Sequence, residues 1–493
     1  MRPRGGLGEV EMAVQQHQLI IGGCRRAASS GALFDVLAPA DGRLLAQVAR
    51  GGADDVELAV SAARQGYQQW SALAPGRREA ALLRAADIIA AEGEARLLDN
   101  LIDESGSVIT KARHEIAYTV DLLRTAAGEV RRLYGDTFPN DRPQRVSMVF
   151  REPLGVVAII SPYNAPLSLL AKMVAFPLAA GNSVVIKPSE ETPLTALAFA
   201  EVLLAAGIPA AAVSVITGYG AECGERLVAH ADIDYVALTG STRTGVAVGG
   251  ESMKHMRRCQ LELGGKSAML VLRDVDPASA AGVAAQGIFT HGGQICMANS
   301  RIVVERPLAA PFIAALKAAA EAIFLGDLRD ERSGYGPLIN QRAVDKVLAH
   351  VRQAVAAGAE LVTGGDIVAG LTVRPTVLLN PARNSGVWRE ESFGPVVSVV
   401  VVDSLEEAIA VANDSEYGLS AAVLTHNIQW GFRAARGIRA GSVHIGMHAF
   451  QSNAIAPIGG FGMSGIGRSG GKYSTEEFTE LKWVSVALED EGK

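Results

Sequence analysis

Cys296 is the candidate nucleophile of this sequence. It lies in His291-Gly-Gly-Gln-Ile-Cys296-Met-Ala-Asn-Ser-Arg301. A thiolate adds to an electrophilic carbon and can carry a covalent intermediate, and the two glycines upstream permit a tight turn and close approach of a ligand. A lone buried cysteine is more often an inert small hydrophobe. His291, five residues upstream, leaves a Cys–His pairing open, but nothing in the spacing turns its ring toward the thiol. Glu262, in Leu261-Glu-Leu-Gly-Gly-Lys266, is flanked by leucines and followed by two glycines. It reads as the solvent side of a strand or, at the mouth of a cleft, as a general base. Asn164, in Ser161-Pro-Tyr-Asn164-Ala-Pro166, follows a buried apolar run. An amide there can donate to a developing oxyanion, or it can close an Asx turn before Pro166.

Three segments could hold phosphate. Gly465-Ile-Gly467-Arg-Ser-Gly470 has the spacing G-x-G-x-x-G, but it lacks the preceding strand and following βαβ unit that a dinucleotide fingerprint needs. It reads as a mobile or close-packed glycine loop. Gly218-Tyr-Gly220-Ala-Glu-Cys223-Gly224 sits better, between a strand and a helix, with its third glycine displaced by one. In Tyr235–Gly245 a strand runs into Thr239-Gly240-Ser241-Thr242, where a helix begins. Its N–H groups form an anion site, and Ser241 or Thr242 could equally be an ordinary N-cap.

The elements that must position these groups follow from periodicity. Residues 53–72 and 76–101 read as amphipathic helices. Gly155–Ser161, Ser183–Lys187, Val213–Thr217 and Tyr235–Thr239 are short β-branched runs, separated by helices at about 166–180, 193–206 and 222–231. That alternation means βαβ units and a parallel sheet buried on both faces. A second series follows at Ser267–Leu272, Ser300–Glu305, Thr376–Leu379, Val396–Val402, Ala421–Thr425 and Ser442–Ile445. Helices lie between these strands near 278–289, 308–323, 341–357, 405–414 and 428–438. A cleft between two α/β units is the expected place for a ligand.

Composition bounds the function. The 493 residues are 49% hydrophobic and 20% charged, which excludes a disordered chain and a disulfide-stapled scaffold. The net charge of -6 and 5% aromatics argue against nucleic-acid partners. Cys24, Cys223, Cys259 and Cys296 lack CxxC spacing, so neither a zinc site nor a disulfide framework is expected, and a cytoplasmic location is the simplest reading. The apolar stretches Leu154–Ile186 and Leu194–Thr217 are broken by proline and charge, so no membrane span is expected. Residues 1–17 read as a loose leader without an apolar core, and translation could start at Met12.

Together these segments resemble the aldehyde dehydrogenase superfamily, over about residues 18 to 485. The motifs are SPYNAP at 161, KPSEETP at 187, LTGSTRTG at 238, LELGGKS at 261, GQICMANSR at 293, EESFGPV at 390, NDSEYGLSAAV at 413 and PIGGFGMSGIGR at 457. Eight in family order are highly specific. The resemblance implies an α/β fold: a Rossmann-like NAD-binding domain (18–136 and 154–262), a second α/β catalytic domain (263–455), and a small β oligomerisation arm (137–153 and 474–493). It implies Cys296 as nucleophile, Glu262 as general base, Asn164 as oxyanion amide, and no metal. For NAD it implies Lys187 and Glu190 at the adenosine ribose, Gly218, Gly240 and Ser241 near the pyrophosphate, and Glu391 and Phe393 at the nicotinamide ribose and ring. Family members are dimers or tetramers, so a homodimer or homotetramer is expected. The implied reaction is oxidation of an aldehyde to the carboxylic acid. Presence of Glu262 argues against a CoA-acylating branch, and the intact triad argues against a non-catalytic binding protein. Tyr163, Ala268, Gly446 and Ile458 depart from common family residues. Ala165, Lys172, Thr290, Ile295, Met297 and Ile458 are expected to line the substrate tunnel. Lys172 falls where members acting on salicylaldehyde or vanillin often carry Arg, unless it merely faces solvent.

Overall fold

The computed structural model describes residues 14–142 and 144–488. Five β-branched or apolar runs, Val156–Ile160, Ser183–Lys187, Val213–Val215, Tyr235–Thr239 and Cys259–Glu262, pair in parallel. Their spatial order runs Cys259–Glu262, Tyr235–Thr239, Val156–Ile160, Ser183–Lys187, Val213–Val215. The chain therefore leaves Val156–Ile160 in one direction, and Tyr235–Thr239 returns to its other side. That reversal is the switch point at which open α/β sheets bind ligands, beyond the strands' carboxyl ends. Leu19–Ile21 and Cys24–Arg26 extend one edge of the sheet. Gly465–Ile466 closes the other edge, antiparallel to Cys259–Glu262.

A second sheet contains Ala268–Val271, Arg301–Glu305, Thr376–Leu379, Val396–Val402, Ser420–Leu424 and Ser442–Ile445 in parallel, with Glu360–Thr363 antiparallel at one edge. Its interior positions are almost all buried, as expected when helices cover both faces. The segment 263–267 leads directly from the carboxyl end of Cys259–Glu262 in the first sheet to the amino end of Ala268–Val271 in the second. A third sheet joins Thr137–Phe138, Arg145–Pro153 and Thr479–Ala487. Leu481 and Trp483 are exposed on it.

Several readings need correction. Gln16–His17, placed in the loose leader, pairs in parallel with Gln47 and Val48, because an extended segment beside an open sheet edge satisfies its backbone there. Residues 1–13 of that leader, and 489–493 of the expected arm, lie outside the described residues. Residues 474–477, also placed in the arm, belong to the helix Gly471–Glu477. The helix expected over 76–101 is Pro75–Gly93 followed by a π-turn at Glu94–Leu98 and a short helix to Asp103.

The helix Ile109–Glu129 was not foreseen. Its buried face includes Glu115 and Thr119, and polar groups on that face interrupt the apolar repeat that announces a helix.

Glu104 caps another element from a distance. Its carboxylate accepts the Leu194 and Thr195 N–H groups at 2.8 and 2.7 Å, two of the unpaired donors at a helix start. Burial pushes the Glu104 carboxyl up to about 7, against those hydrogen bonds, which favour the charged form. The folded chain then holds this proton more tightly than the unfolded chain does. The contribution of Glu104 to stability therefore falls as pH rises from the ordinary carboxyl range toward 7. Glu104→Gln removes that slope. Thermal melts between pH 5 and 8 should show the wild type losing more stability over this interval than the variant.

Candidate active site

The carboxyl ends of Val156–Ile160 and Tyr235–Thr239 flank the switch point. The first leads into Ser161-Pro-Tyr-Asn164 and the second into Gly240 and Ser241. Ser241 is the N-cap of the helix Thr242–Lys254, its hydroxyl accepting the Thr244 N–H at 3.2 Å. The remaining N–H groups of that first turn give a thirteen-residue helix an exposed positive end. Gly218 adopts φ +145°, and a β-carbon there would stand 3.0 Å from the Gly51 carbonyl oxygen. Lys187 ends its strand, buried, with its ammonium 3.1 Å from Glu190 Oε2. These groups line one side of the crevice and fit a dinucleotide: a bare helix start for phosphate, with a carboxylate and an ammonium one strand away.

Cys296 faces this edge from the other unit. The second sheet presents its amino ends, so the Cys296 loop before Arg301–Glu305 meets the 390–395 loop before Val396–Val402. The two glycines of LELGGKS make the meeting possible. A β-carbon at Gly265 would stand 2.4 Å from the Cys296 carbonyl oxygen, and one at Gly264 would stand 2.6 Å from Glu391 Oε2. Glu391 Oε1 accepts the Gly265 N–H at 3.0 Å. Phe393, at φ +54°, sets its ring edge-on to Tyr163 with centroids 5.9 Å apart. Thus SPYNAP, LELGGKS, GQICMANSR and EESFGPV converge on one place.

Asn164 is buried, and its Nδ2 donates to the Gln294 carbonyl at 2.8 Å. That bond ties it to the backbone two residues before Cys296. Glu262 Oε1 lies 3.1 Å from Lys172 Nζ and accepts a longer bond from Gln260 Nε2 at 3.4 Å. Lys172 is 4% exposed, so it does not face solvent on its helix. Burial pushes the Cys296 thiol up to about 12, with the negative charges of Glu391 and Glu262 acting in the same sense and the Lys172 ammonium opposing them. The thiol is therefore protonated at neutral pH, and a base must take its proton for attack to occur.

The other expected lining residues are dispersed around this centre. Ala165 and Ile458 are partly exposed, as are Ile295 and Met297 on either side of Cys296. Thr290 ends the helix Pro277–Phe289, its hydroxyl bonded back to the Gln286 carbonyl at 2.8 Å. His291 is 1% exposed, and the one group set against its ring nitrogens is the Asn164 backbone, short of an ordinary hydrogen-bond geometry. Burial, and then the Lys111 charge, hold it well below its ordinary value. It is neutral and not bonded to Cys296, so the Cys–His pairing falls. The glycines of G-x-G-x-x-G pack tightly, with β-carbons at Gly465 and Gly470 standing 1.9 Å from the carbonyls of Leu261 and Ala456. This is the close-packed loop foreseen.

Sequence reading missed the supports. Arg301 is buried and donates to the carbonyls of Lys266, Val411 and Ala412 at 2.9, 3.2 and 2.8 Å. It pins the LELGGKS strand to the segment before NDSEYGL. Lys111 and Glu115 reach the Asn164 loop from Ile109–Glu129. Their i, i+4 spacing was the available signal.

These features set a thiol, a carboxylate and an amide beside a crevice between two α/β units, against residues that fit a dinucleotide. The aldehyde dehydrogenase family model matches residues 26–484. The chain is 37% identical to vanillin dehydrogenase of Pseudomonas fluorescens, over 95% of this chain and 97% of that one. It is 38% identical to 2-hydroxymuconic semialdehyde dehydrogenase of Pseudomonas putida, over 93% and 97% of the two chains. Among solved structures, an NAD-dependent aldehyde dehydrogenase from Sinorhizobium meliloti superposes with a TM-score of 0.94 at 35% identity, over 98% of this chain and 96% of that one. The chain belongs to the aldehyde dehydrogenase family. It is an oxidoreductase that takes aldehydes to carboxylic acids.

Proposed function

We propose that Cys296, Glu262 and Asn164 carry this oxidation with NAD, and that the preferred aldehyde bears a ring hydroxyl or a carboxylate. The observation that carries the mechanism is convergence: the thiol, a carboxylate and an amide come from three separated motifs to one crevice beside a dinucleotide cradle. Cys296 loses its proton and its sulfur adds to the aldehyde carbon, giving a tetrahedral thiohemiacetal. The free N–H of the Asn164 amide and the Cys296 backbone N–H receive the oxyanion, a contribution of roughly 3–4 kcal/mol per donor. When bound, NAD would take the hydride that leaves this carbon as the oxyanion re-forms the carbonyl, which leaves Cys296 carrying a thioester. Glu262 then takes a proton from the water that attacks the thioester, and the acid leaves. The first sheet and its helices (18–136 and 154–262) serve as the cofactor domain, and the second (263–455) as the catalytic domain.

NAD is preferred over NADP. A 2′-phosphate would set negative charge beside Glu190, an unfavourable contact that can cost on the order of 1–3 kcal/mol. Ratios of kcat/KM should favour NAD by about tenfold or more, and Glu190→Ser should narrow the gap. Equal ratios in the wild type would refute the assignment.

Lys172 supports the substrate class, because a buried ammonium in the site favours an anionic or hydroxylated substituent through charge-assisted hydrogen bonds. The relatives named for vanillin and hydroxymuconic semialdehyde point the same way. NADH formation is to be measured with and without CoA across an aldehyde panel. Hydroxybenzaldehydes or acidic semialdehydes should exceed acetaldehyde and hexanal in kcat/KM, with no CoA requirement. Lys172→Met should erase most of that preference. Because Lys172 is also ion-paired with Glu262, the variant strips the base of its counter-charge, and kcat should fall for every aldehyde. A wild-type preference for unsubstituted aliphatic aldehydes would overturn the class.

We place the protein in the cytoplasm as a homodimer or homotetramer. The four thiols are free, and no helix among the described residues is long and apolar enough to cross a membrane. The exposed Leu481 and Trp483 give the arm an apolar face that a second copy would cover.

A further inference from the structure

We propose that Lys111, held by Glu115, is a positioning residue that fixes the peptide of Asn164; this rests on the reading of Asn164 as the oxyanion amide. Lys111 Nζ donates to the Asn164 carbonyl oxygen at 2.7 Å and to Ser107 Oγ at 2.9 Å, and it pairs with Glu115 one turn along. The Lys111 and Glu115 side chains are 14% and 3% exposed.

Glu115 grips the same loop further along. Its Oε2 accepts the Leu167 and Ser168 N–H groups at 3.2 and 3.1 Å and the Ser168 hydroxyl at 3.2 Å. Those N–H groups open the helix Ser168–Ala180, whose N-cap residue, Leu167, has no side chain able to accept. Glu115 supplies the missing acceptor from a neighbouring helix. Asn164 is thereby fixed at both ends. Its side-chain amide is tied to the Gln294 carbonyl, and its own carbonyl is tied to Lys111. One hydrogen of the amide stays free, aimed by these two anchors rather than by rotamer preference alone.

Burying an ion pair seldom adds net stability, since desolvation offsets attraction. What this pair does add is geometry, through charge-assisted bonds to backbone groups that have one direction each. An oxyanion donor works only when it lies within hydrogen-bond distance of where the charge develops, and a misplacement of about 1 Å can cost on the order of a hundredfold in rate. Lys111→Met frees the Asn164 peptide and leaves Glu115 without its cation.

The test is a double-mutant cycle read in kcat, with NAD binding and thermal unfolding followed in parallel. Lys111→Met should lower kcat by about a hundredfold, while the Kd for NAD stays within about threefold of wild type. Lys111→Arg should recover much of the loss, because the guanidinium can still donate to the Asn164 carbonyl. In an Asn164→Ala background, Lys111→Met should cause little further loss, since the group it aims is gone. If Lys111→Met fails to fold, Lys111→Gln, whose shorter uncharged chain withdraws the donor from the Asn164 carbonyl, carries the same cycle. Additive losses in the cycle, or a kcat for Lys111→Met close to wild type, would overturn the positioning role. An Asn164→Ala single variant with full activity would instead sink the oxyanion reading, a separate failure.

Discussion

Replacing Cys296 by alanine should abolish aldehyde oxidation while folding and NAD binding persist. The thiol forms the only covalent bond between enzyme and substrate in the mechanism, so its loss leaves no slower route through the same intermediate. The β-carbon is retained, and the sulfur's own backbone contact, with the adjacent Met297 N–H, ties it to no other segment. The loop is held by backbone: Asn164 to the Gln294 carbonyl, and the Gln294 amide to the His291 and Pro337 carbonyls, each at 3.3 Å. NADH formation, fluorescence titration with NAD and a thermal melt check the three parts. Measurable turnover at the wild-type rate would end the mechanism. In the wild type, burial and the two nearby carboxylates push this thiol up to about 12. Alkylation of the cofactor-free enzyme at Cys296 should therefore quicken steadily from neutral pH into the alkaline range. Cys24, Cys223 and Cys259 should tolerate alanine or serine with modest effects.

Glu262→Gln should separate the two halves of the reaction. The variant loses the base that activates water, and general-base catalysis typically contributes about 10²- to 10⁴-fold. It also loses a negative charge that opposes formation of the Cys296 thiolate. The first effect slows deacylation, and the second favours the thiolate that acylation needs. Steady-state kcat should fall by about a hundredfold or more, while a pre-steady-state burst of NADH survives. Stopped-flow absorbance decides it. Loss of the burst would mean that Glu262 also takes the proton from Cys296, a wider role than water activation alone.

Much of this molecule was legible before any coordinates. The strands Ser183–Lys187, Tyr235–Thr239, Thr376–Leu379, Val396–Val402 and Ser442–Ile445 stand where the β-branched runs put them. Buried parallel strands are nearly all apolar, and that signal is local. The N-terminal strands Leu33–Leu37 and Leu44–Ala49 were missed, because leucines at the exposed positions 33, 37 and 44 hide the alternation. The helix Ile109–Glu129 escaped notice because Glu115 and Thr119 sit on its buried face. Glu115 is there to hold another loop, a demand that arises outside the segment itself.

The chemistry divides in the same way. Residue types and order along the chain determined which groups could act: a thiol after a glycine turn, a carboxylate before two glycines, an amide after a buried strand. Those properties belong to single side chains and to backbone conformations that only glycine tolerates. The tertiary structure alone decided how the groups are tuned. Whether Lys172 faces solvent, a substrate tunnel or Glu262 depends on how the helix Ser168–Ala180 lies against the strand Cys259–Glu262, ninety residues away in sequence. Whether His291 is a base depends on burial and on the charge of Lys111, contributed by another helix. Electrostatic tuning is set by distance and desolvation, and both are properties of packed neighbours that no local stretch of sequence encodes.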